Sequence, residues 1–162
     1  MTLGTHMLAA VVASLALNLP LIPALLGALL PDLDLKKGLP FPPKRTLFNA
    51  HRGITHHLLW LPVLFMASLW VKDFINHTLG VWLLSFTVGF ATHLLLDALT
   101  PLGIPYKHTY YPRLSLKLFK TGKLGELFVI LILLFVILYQ VQHENLNYLE
   151  ILGLGGLNEV LH

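Results

Sequence analysis

The sequence predicts an all-α integral membrane protein with a proline-broken N-terminal helical hairpin and three transmembrane helices. A short interfacial strand or hairpin is predicted in the loop at 101–123. Composition is the first reason, because 56% of the 162 residues are hydrophobic and only 12% are charged, whereas a soluble domain has about 25% charged residues. The second reason is the presence of apolar runs long enough to cross a bilayer. These features predict one membrane-embedded domain over residues 1–162.

The first apolar segment, residues 7–30, is long enough for one span but contains Pro20 and Pro23. It is either a kinked spanning helix or a helical hairpin that returns to the same side of the membrane. His6 distinguishes the two, because a straight helix would separate it from Asp32 by roughly 39 Å. We expect the hairpin, which joins His6 to the polar residues described below. Residues 1–6 contain no Lys or Arg, so no signal peptide is predicted.

Three further apolar runs, at 53–71, 78–99 and 124–141, predict transmembrane helices. Each would be roughly 27–33 Å long as a helix, close to the hydrocarbon thickness of a bilayer. The two polar loops, 35–52 and 101–123, contain ten of the eleven Lys and Arg residues. With three spans both loops lie on one side, which the positive-inside rule assigns to the cytoplasm. In the second loop, the alternating sequence RLSLKLF predicts the short strand or hairpin.

Ionisable residues gather at the predicted cytoplasmic ends of these segments. His93 and Asp97 are four residues apart and therefore share a helix face. Ionisable groups inside membranes are usually functional, and a shared divalent cation would offset the burial of an aspartate. Interhelical hydrogen bonding, a solvated turn or interfacial anchoring could each explain one motif. Their convergence favours a metal site, and the chain has no cysteine, so its ligands must be histidines and carboxylates.

The motif order H…LLPDLD…HRGITH…HLLLDALTPLGI…TGKLGE resembles the YdjM-type membrane-bound metal-dependent hydrolases, over about residues 5–130. That family is grouped with zinc-dependent phospholipases C and single-strand nucleases, which are helical proteins with clustered zinc ions. The resemblance favours His56 over His57. No His-x-x-x-Glu pair follows the His-x-x-x-Asp pair, so one or two ions are expected rather than three. The ligands that the resemblance implies are His6, Asp32, His51, His56, His93, Asp97 and Glu126, with Asp34 and Arg52 close by.

The expected activity is that of a metal-dependent phosphoesterase acting on a phospholipid or other lipid phosphate at the cytoplasmic face. Imidazole and carboxylate ligands suit zinc. Asp34 or Glu126 would serve as general base, and Arg52 would bind phosphate. Basic residues ringing the site favour an anionic substrate; they are Lys36, Lys37, Lys44, Arg45, Arg52, Arg113 and Lys117.

Two alternative functions remain open at this stage. One is a non-enzymatic membrane protein that binds or transports a metal ion, although a transporter places polar groups near the midplane. The other is a membrane anchor that binds nucleic acid through its basic loops. Because that function would leave the histidines and aspartates unused, no nucleic-acid partner is expected.

Overall fold

A computed structural model describes residues 1–34 and 45–143 of the chain. Helix α4 is central, since α1, α2 and α3 all pack against it, and α5 packs against α1. Lys36, Lys37 and Lys44 of the predicted basic ring lie outside the described residues. The elements are α1 (Leu3–Ala16), α2 (Leu21–Leu29), a 3₁₀ turn (Leu30–Leu33), a second 3₁₀ turn (Ile54–His56), α3 (Trp60–Phe74), α4 (His77–Ala98), β1 (Ile104–Pro105), β2 (Arg113–Leu114) and α5 (Leu124–His143).

The N-terminal apolar segment is two helices that pack against each other, as the hairpin prediction required. The chain reverses after α1 at Asn18, whose φ of 50° is left-handed. Ser14 closes the turn, because its Oγ donates to the Leu19 carbonyl at 2.6 Å and its own carbonyl accepts from the Leu19 amide at 2.9 Å. Proline at position 20 cannot continue the helix hydrogen bonding. The start of α1 and the end of α2 consequently lie at the same end of the bundle.

Small residues allow α2 to lie directly on α4. Ala24 and Ala28 are fully buried, and a Cβ atom added at Gly27 or Gly89 would overlap the backbone of the opposite helix. Such small-residue faces bring helix backbones together in membrane proteins. This close approach brings the α2 carbonyls within reach of α4 side chains.

Two described helices are long and apolar enough to span a membrane, His77–Ala98 and Leu124–Gln142. The third predicted span, 53–71, is not confirmed. Its α-helix begins only at Trp60 and has 15 residues. Residues 53–59 instead form a turn, in which the Ile54 amide donates to the Leu47 carbonyl at 2.8 Å and the Leu58 amide to the Pro105 carbonyl at 3.1 Å. The connection from α3 to α4 is short, because α3 ends at Phe74 and α4 begins at His77.

The loop at 101–123 contains a two-stranded antiparallel sheet that pairs Ile104 with Leu114. The short-strand prediction is confirmed for Arg113–Leu114 only. The following residues do not continue the strand, because their amides bind the end of α4: Leu116 donates to the Ala98 carbonyl at 2.8 Å. The loop is therefore fastened next to Asp97.

Candidate metal centre

Side chains from four separate elements meet at one end of the bundle. The start of α1, the 3₁₀ turn after α2, the turn before α3 and the last two turns of α4 each contribute. This meeting is the convergence that the sequence predicted. Four of the side chains that meet there have no exposed surface: His6, His56, His93 and Asp97.

Three donor atoms form a nearly equilateral triangle. His93 Nε2 lies 3.1 Å from His56 Nε2 and 3.5 Å from Asp97 Oδ2. His56 Nε2 lies 3.4 Å from the same carboxylate oxygen. Around a tetrahedral zinc ion, bonds of about 2.0–2.2 Å separate neighbouring ligand atoms by roughly 3.3–3.6 Å. The triangle therefore has the size of one face of such a coordination shell, and the three residues could hold a metal ion.

Buried polar atoms without hydrogen-bond partners support the same fit. Among the described residues, these include Asp97 Oδ2 and both ring nitrogens of His6. Leaving such a group unpaired costs about 1–3 kcal/mol, and more when it is charged. A cation bound by these atoms would remove that cost. The arrangement therefore fits a metal ion better than it fits a set of internal hydrogen bonds.

The ring orientation of two histidines prepares them as ligands. His93 Nδ1 lies 2.7 Å from the Ala28 carbonyl oxygen. A carbonyl only accepts, so Nδ1 carries the proton and Nε2 presents a lone pair to the centre. His56 Nδ1 is 3.0 Å from Thr55 Oγ1, which can accept its proton in the same way. Hydrogen bonds of this kind fix the tautomer of metal-binding histidines.

The other oxygen of Asp97 is held by the guanidinium of Arg52. Arg52 Nη2 lies 2.7 Å from Oδ1, and the backbone nitrogen of Met1 lies at the same distance. Arg52 Nη1 donates to Thr100 Oγ1 at 2.9 Å. This guanidinium was predicted to bind phosphate, but in the structure it is buried and orients Asp97. The contacts leave Oδ2 directed at the histidines.

A second group of possible ligands consists of His6, Asp32 and His93. Because His93 has only Nε2 left after bonding Ala28, it can bind one ion at a time. The two groups therefore describe either one ion that draws on both sets or two alternative positions. Asp32 Oδ1 lies 3.7 Å from His56 Nε2, which makes the groups continuous.

His51 and Asp34 form the outer side of the cluster. His51 Nδ1 lies 3.9 Å from Asp34 Oδ2. Burial, and to a smaller extent the neighbouring His56 and Arg52, lower the pKa of His51 to about 4. The ring is therefore neutral at pH 7, the form in which histidine binds metals or accepts a proton.

Glu126 and His57 both lie outside the ligand groups, and only the prediction for Glu126 is corrected by this. Glu126 lies at the start of α5 but is not in either ligand group, since its carboxylate accepts from Thr5 Oγ1 at 2.7 Å and the Gly122 amide at 2.6 Å. His57 is also outside both groups. Its Nε2 donates to the Lys107 carbonyl at 3.0 Å, and its Nδ1 accepts from the Leu59 amide at 3.1 Å. The preference for His56 over His57 thus agrees with the geometry.

Sequence reasoning missed the groups that orient the ligands. Thr100 holds the guanidinium of Arg52, and it belongs to the DALTP motif, so its position one turn beyond Asp97 was a usable signal. Thr55 directly precedes His56 in the HRGITH motif, and its hydroxyl contacts that ring. The Ala28 carbonyl had no signal, because any residue type supplies a backbone oxygen.

Comparison with known proteins supplies a family for the chain. The model of a family described as YdjM inner membrane protein matches residues 1–156. No curated protein and no solved structure matches the chain.

Proposed function

The chain belongs to the YdjM inner membrane protein family, and we propose that it is a membrane-bound, metal-dependent phosphoesterase. The substrate in this proposal is a phospholipid or other lipid phosphate, and the metal is zinc. The site would face the cytoplasm, because the positive-inside rule favours that side for the basic loops at 35–52 and 101–123, and both Arg52 and the second loop lie beside Asp97.

The observation that carries the proposal is the donor triangle of His56, His93 and Asp97 at one end of an apolar bundle. Its distances of 3.1–3.5 Å match a tetrahedral shell, and a three-ligand zinc site keeps a fourth position for water or substrate. An ion held there would supply a Lewis acid and lower the pKa of its water to about 7. Three protein ligands would favour hydrolysis over a purely structural metal, whose sites have four, and the proposal therefore takes His6 and Asp32 as an alternative position for the ion.

Each residue of the cluster has a distinct task in this scheme. His93 presents the lone pair of Nε2, because its Nδ1 donates to the Ala28 carbonyl, and the Thr55 hydroxyl can hold His56 in the same tautomer. Arg52 is a positioning residue that holds Asp97 through Oδ1.

The general base would be Asp34, paired with His51 at 3.9 Å on the outer side of the cluster. A base needs one hydrogen bond to the proton that it removes, and the Asp34 side chain retains some exposure whereas Asp97 is fully buried. Glu126, the other predicted base, is bound by donors from α1 and the α5 turn, so Asp34 is preferred.

The test uses full-length protein purified in detergent, with metal content measured before and after chelation. We expect about one zinc per chain and phosphate release from long-chain phosphatidic acid in nanodiscs. His93→Ala and Asp97→Ala should lose both. His57→Ala is the matched control, since that ring binds only backbone groups, and it should keep its zinc. Full turnover in His93→Ala or Asp97→Ala would overturn the proposal.

The complete burial of His6, His56, His93 and Asp97 favours a second candidate, a non-enzymatic metal-binding or transport protein. A substrate must reach its metal, whereas a stored ion need not be accessible. The same measurements separate the two functions. Stoichiometric zinc without phosphate release from any lipid phosphate would favour this second function.

A further inference from the structure

An apolar groove runs between α3 and α4, with a cavity volume of about 370 Å³. Small-molecule sites have volumes of about 300–1,000 Å³. Trp60 and Leu64 form one wall, and Phe86 and Phe90 form the other. Each pair is four residues apart and therefore lies on one helix face, one turn apart. The groove thus follows both helices for about one turn.

One end of this groove adjoins the candidate metal centre. Pro31 lines it and immediately precedes Asp32, a member of the second ligand group. Thr55 also lines it, and its hydroxyl lies 3.0 Å from His56 Nδ1. The end of the groove at Pro31 and Thr55 therefore lies beside the candidate ligands Asp32 and His56, and the groove continues away from them along α3 and α4.

The lining is suited to a hydrocarbon and not to a polar ligand. Its polar side chains, within the described part of the chain, are Thr55 and Trp60. The Thr55 hydroxyl already contacts His56, and the indole N–H of Trp60 donates to the Ile54 carbonyl at 2.9 Å. Since indole has a single donor, that side chain has no further hydrogen bond to offer.

We propose that this groove binds a hydrocarbon chain of a lipid whose head group lies at the metal centre. The inference rests on the proposed function for the identity of the head group, a phosphate ester. It adds the hydrocarbon chain of the lipid as a determinant of specificity, recognised by residues of α3 and α4. A lipid so placed would be oriented with its polar end at Asp32 and His56.

The probe is a phosphatidic acid that carries a diazirine halfway along one acyl chain, added to zinc-loaded full-length protein in nanodiscs. After irradiation, peptide mapping should place cross-links on residues 54–64 and 86–90. Leu64→Trp fills the groove and should reduce these cross-links by at least about tenfold, as expected when a pocket rejects a chain. Met66→Trp is the matched control, because Met66 is on the same helix but 63% exposed, and it should change nothing.

A second variant guards against misfolding of the first. Phe86→Ala widens the groove and should increase cross-linking of a branched, phytanyl probe relative to wild type. Zinc content reports whether each variant retains the folded centre. If Leu64→Trp loses zinc, the groove is tested by Phe86→Ala alone. Cross-links spread evenly over the lipid-exposed α5, with neither variant having an effect, would overturn the inference.

Cross-linking and turnover separate this inference from the proposed function. Localised cross-links without phosphate release would support the groove and remove the phosphoesterase. Equal turnover of dihexanoyl and long-chain phosphatidic acid, with unlocalised cross-links, would support the phosphoesterase and remove the groove.

Discussion

Replacing Asp97 by asparagine tests the electrostatic core of the site, because it removes a charge and almost no volume. The carboxylate is fully buried and faces Arg52 at 2.7 Å. Arg52 is only 6% exposed. The substitution therefore takes a carboxylate away from a buried cation.

The magnitude follows from the burial of both partners. Removing one member of a buried ion pair costs about 3–5 kcal/mol, whereas replacing both with uncharged groups costs much less. Asp97→Asn and Arg52→Met should each lower the free energy of unfolding by about 3–5 kcal/mol. The double variant should lose at least about 2 kcal/mol less than the sum of the two.

The assay is denaturant-induced unfolding in mild detergent, followed by fluorescence of the three tryptophans. The protein is first chelated, because bound metal would add its own stabilisation. Asp73→Asn, on the exposed surface of α3, is the control and should change the free energy of unfolding by no more than about 0.5 kcal/mol. Single-variant losses that add to within about 0.5 kcal/mol in the double variant would refute the reasoning.

Three further predictions concern packing and metal binding. Gly89→Ala should destabilise the protein by about 1–3 kcal/mol, because its Cβ would overlap the Ala24 carbonyl. Gly4→Ala is the control and should be neutral or stabilising, because a Cβ there meets open space. Equal melting temperatures for the two variants would contradict the close packing of α2 on α4. His56→Ala should weaken zinc binding by more than about 100-fold, since losing even an outer-sphere partner costs 10–100-fold in affinity. His57→Ala should leave the affinity within about threefold. Isothermal titration measures both, and equal losses of affinity would contradict the choice of His56 as ligand. Chelation should lower the melting temperature and zinc should restore it, with about 2.7 kcal/mol of stabilisation at a free zinc concentration of 100 times Kd. A melting temperature that does not change with zinc would contradict a folded metal centre.

The polar convergence could be predicted from sequence because helix geometry makes it a local calculation. His93 and Asp97 share a face at a spacing of four residues, and both face the same cluster in the structure. His6 was placed there by the proline break, and it lies 3.3 Å from Asp97 Oδ1. A hairpin was the only topology that kept His6 near Asp32 without crossing the bilayer.

The turn before α3 could not be predicted from hydropathy. The run 53–71 is apolar enough for a helix, but Arg52 has a φ of 55°. The amides of Ile54 and Leu58 also donate to the carbonyls of Leu47 and Pro105. Those partners are distant in sequence, so no local pattern reveals them. The same limit applies to Arg52, whose type suggested a phosphate ligand until its buried partners were located.

The sequence by itself indicated the membrane character, the paired N-terminal helices and the meeting of His6, Asp32, His56, His93 and Asp97, because apolar length and helical period act within one segment. Only the tertiary structure decided the distances between donor atoms, the pairing of Arg52 with Asp97 and the separation of Glu126 from the ligand groups. Those features depend on backbone carbonyls and on side chains from remote segments, whose positions are fixed by the packing of α1, α2 and α4.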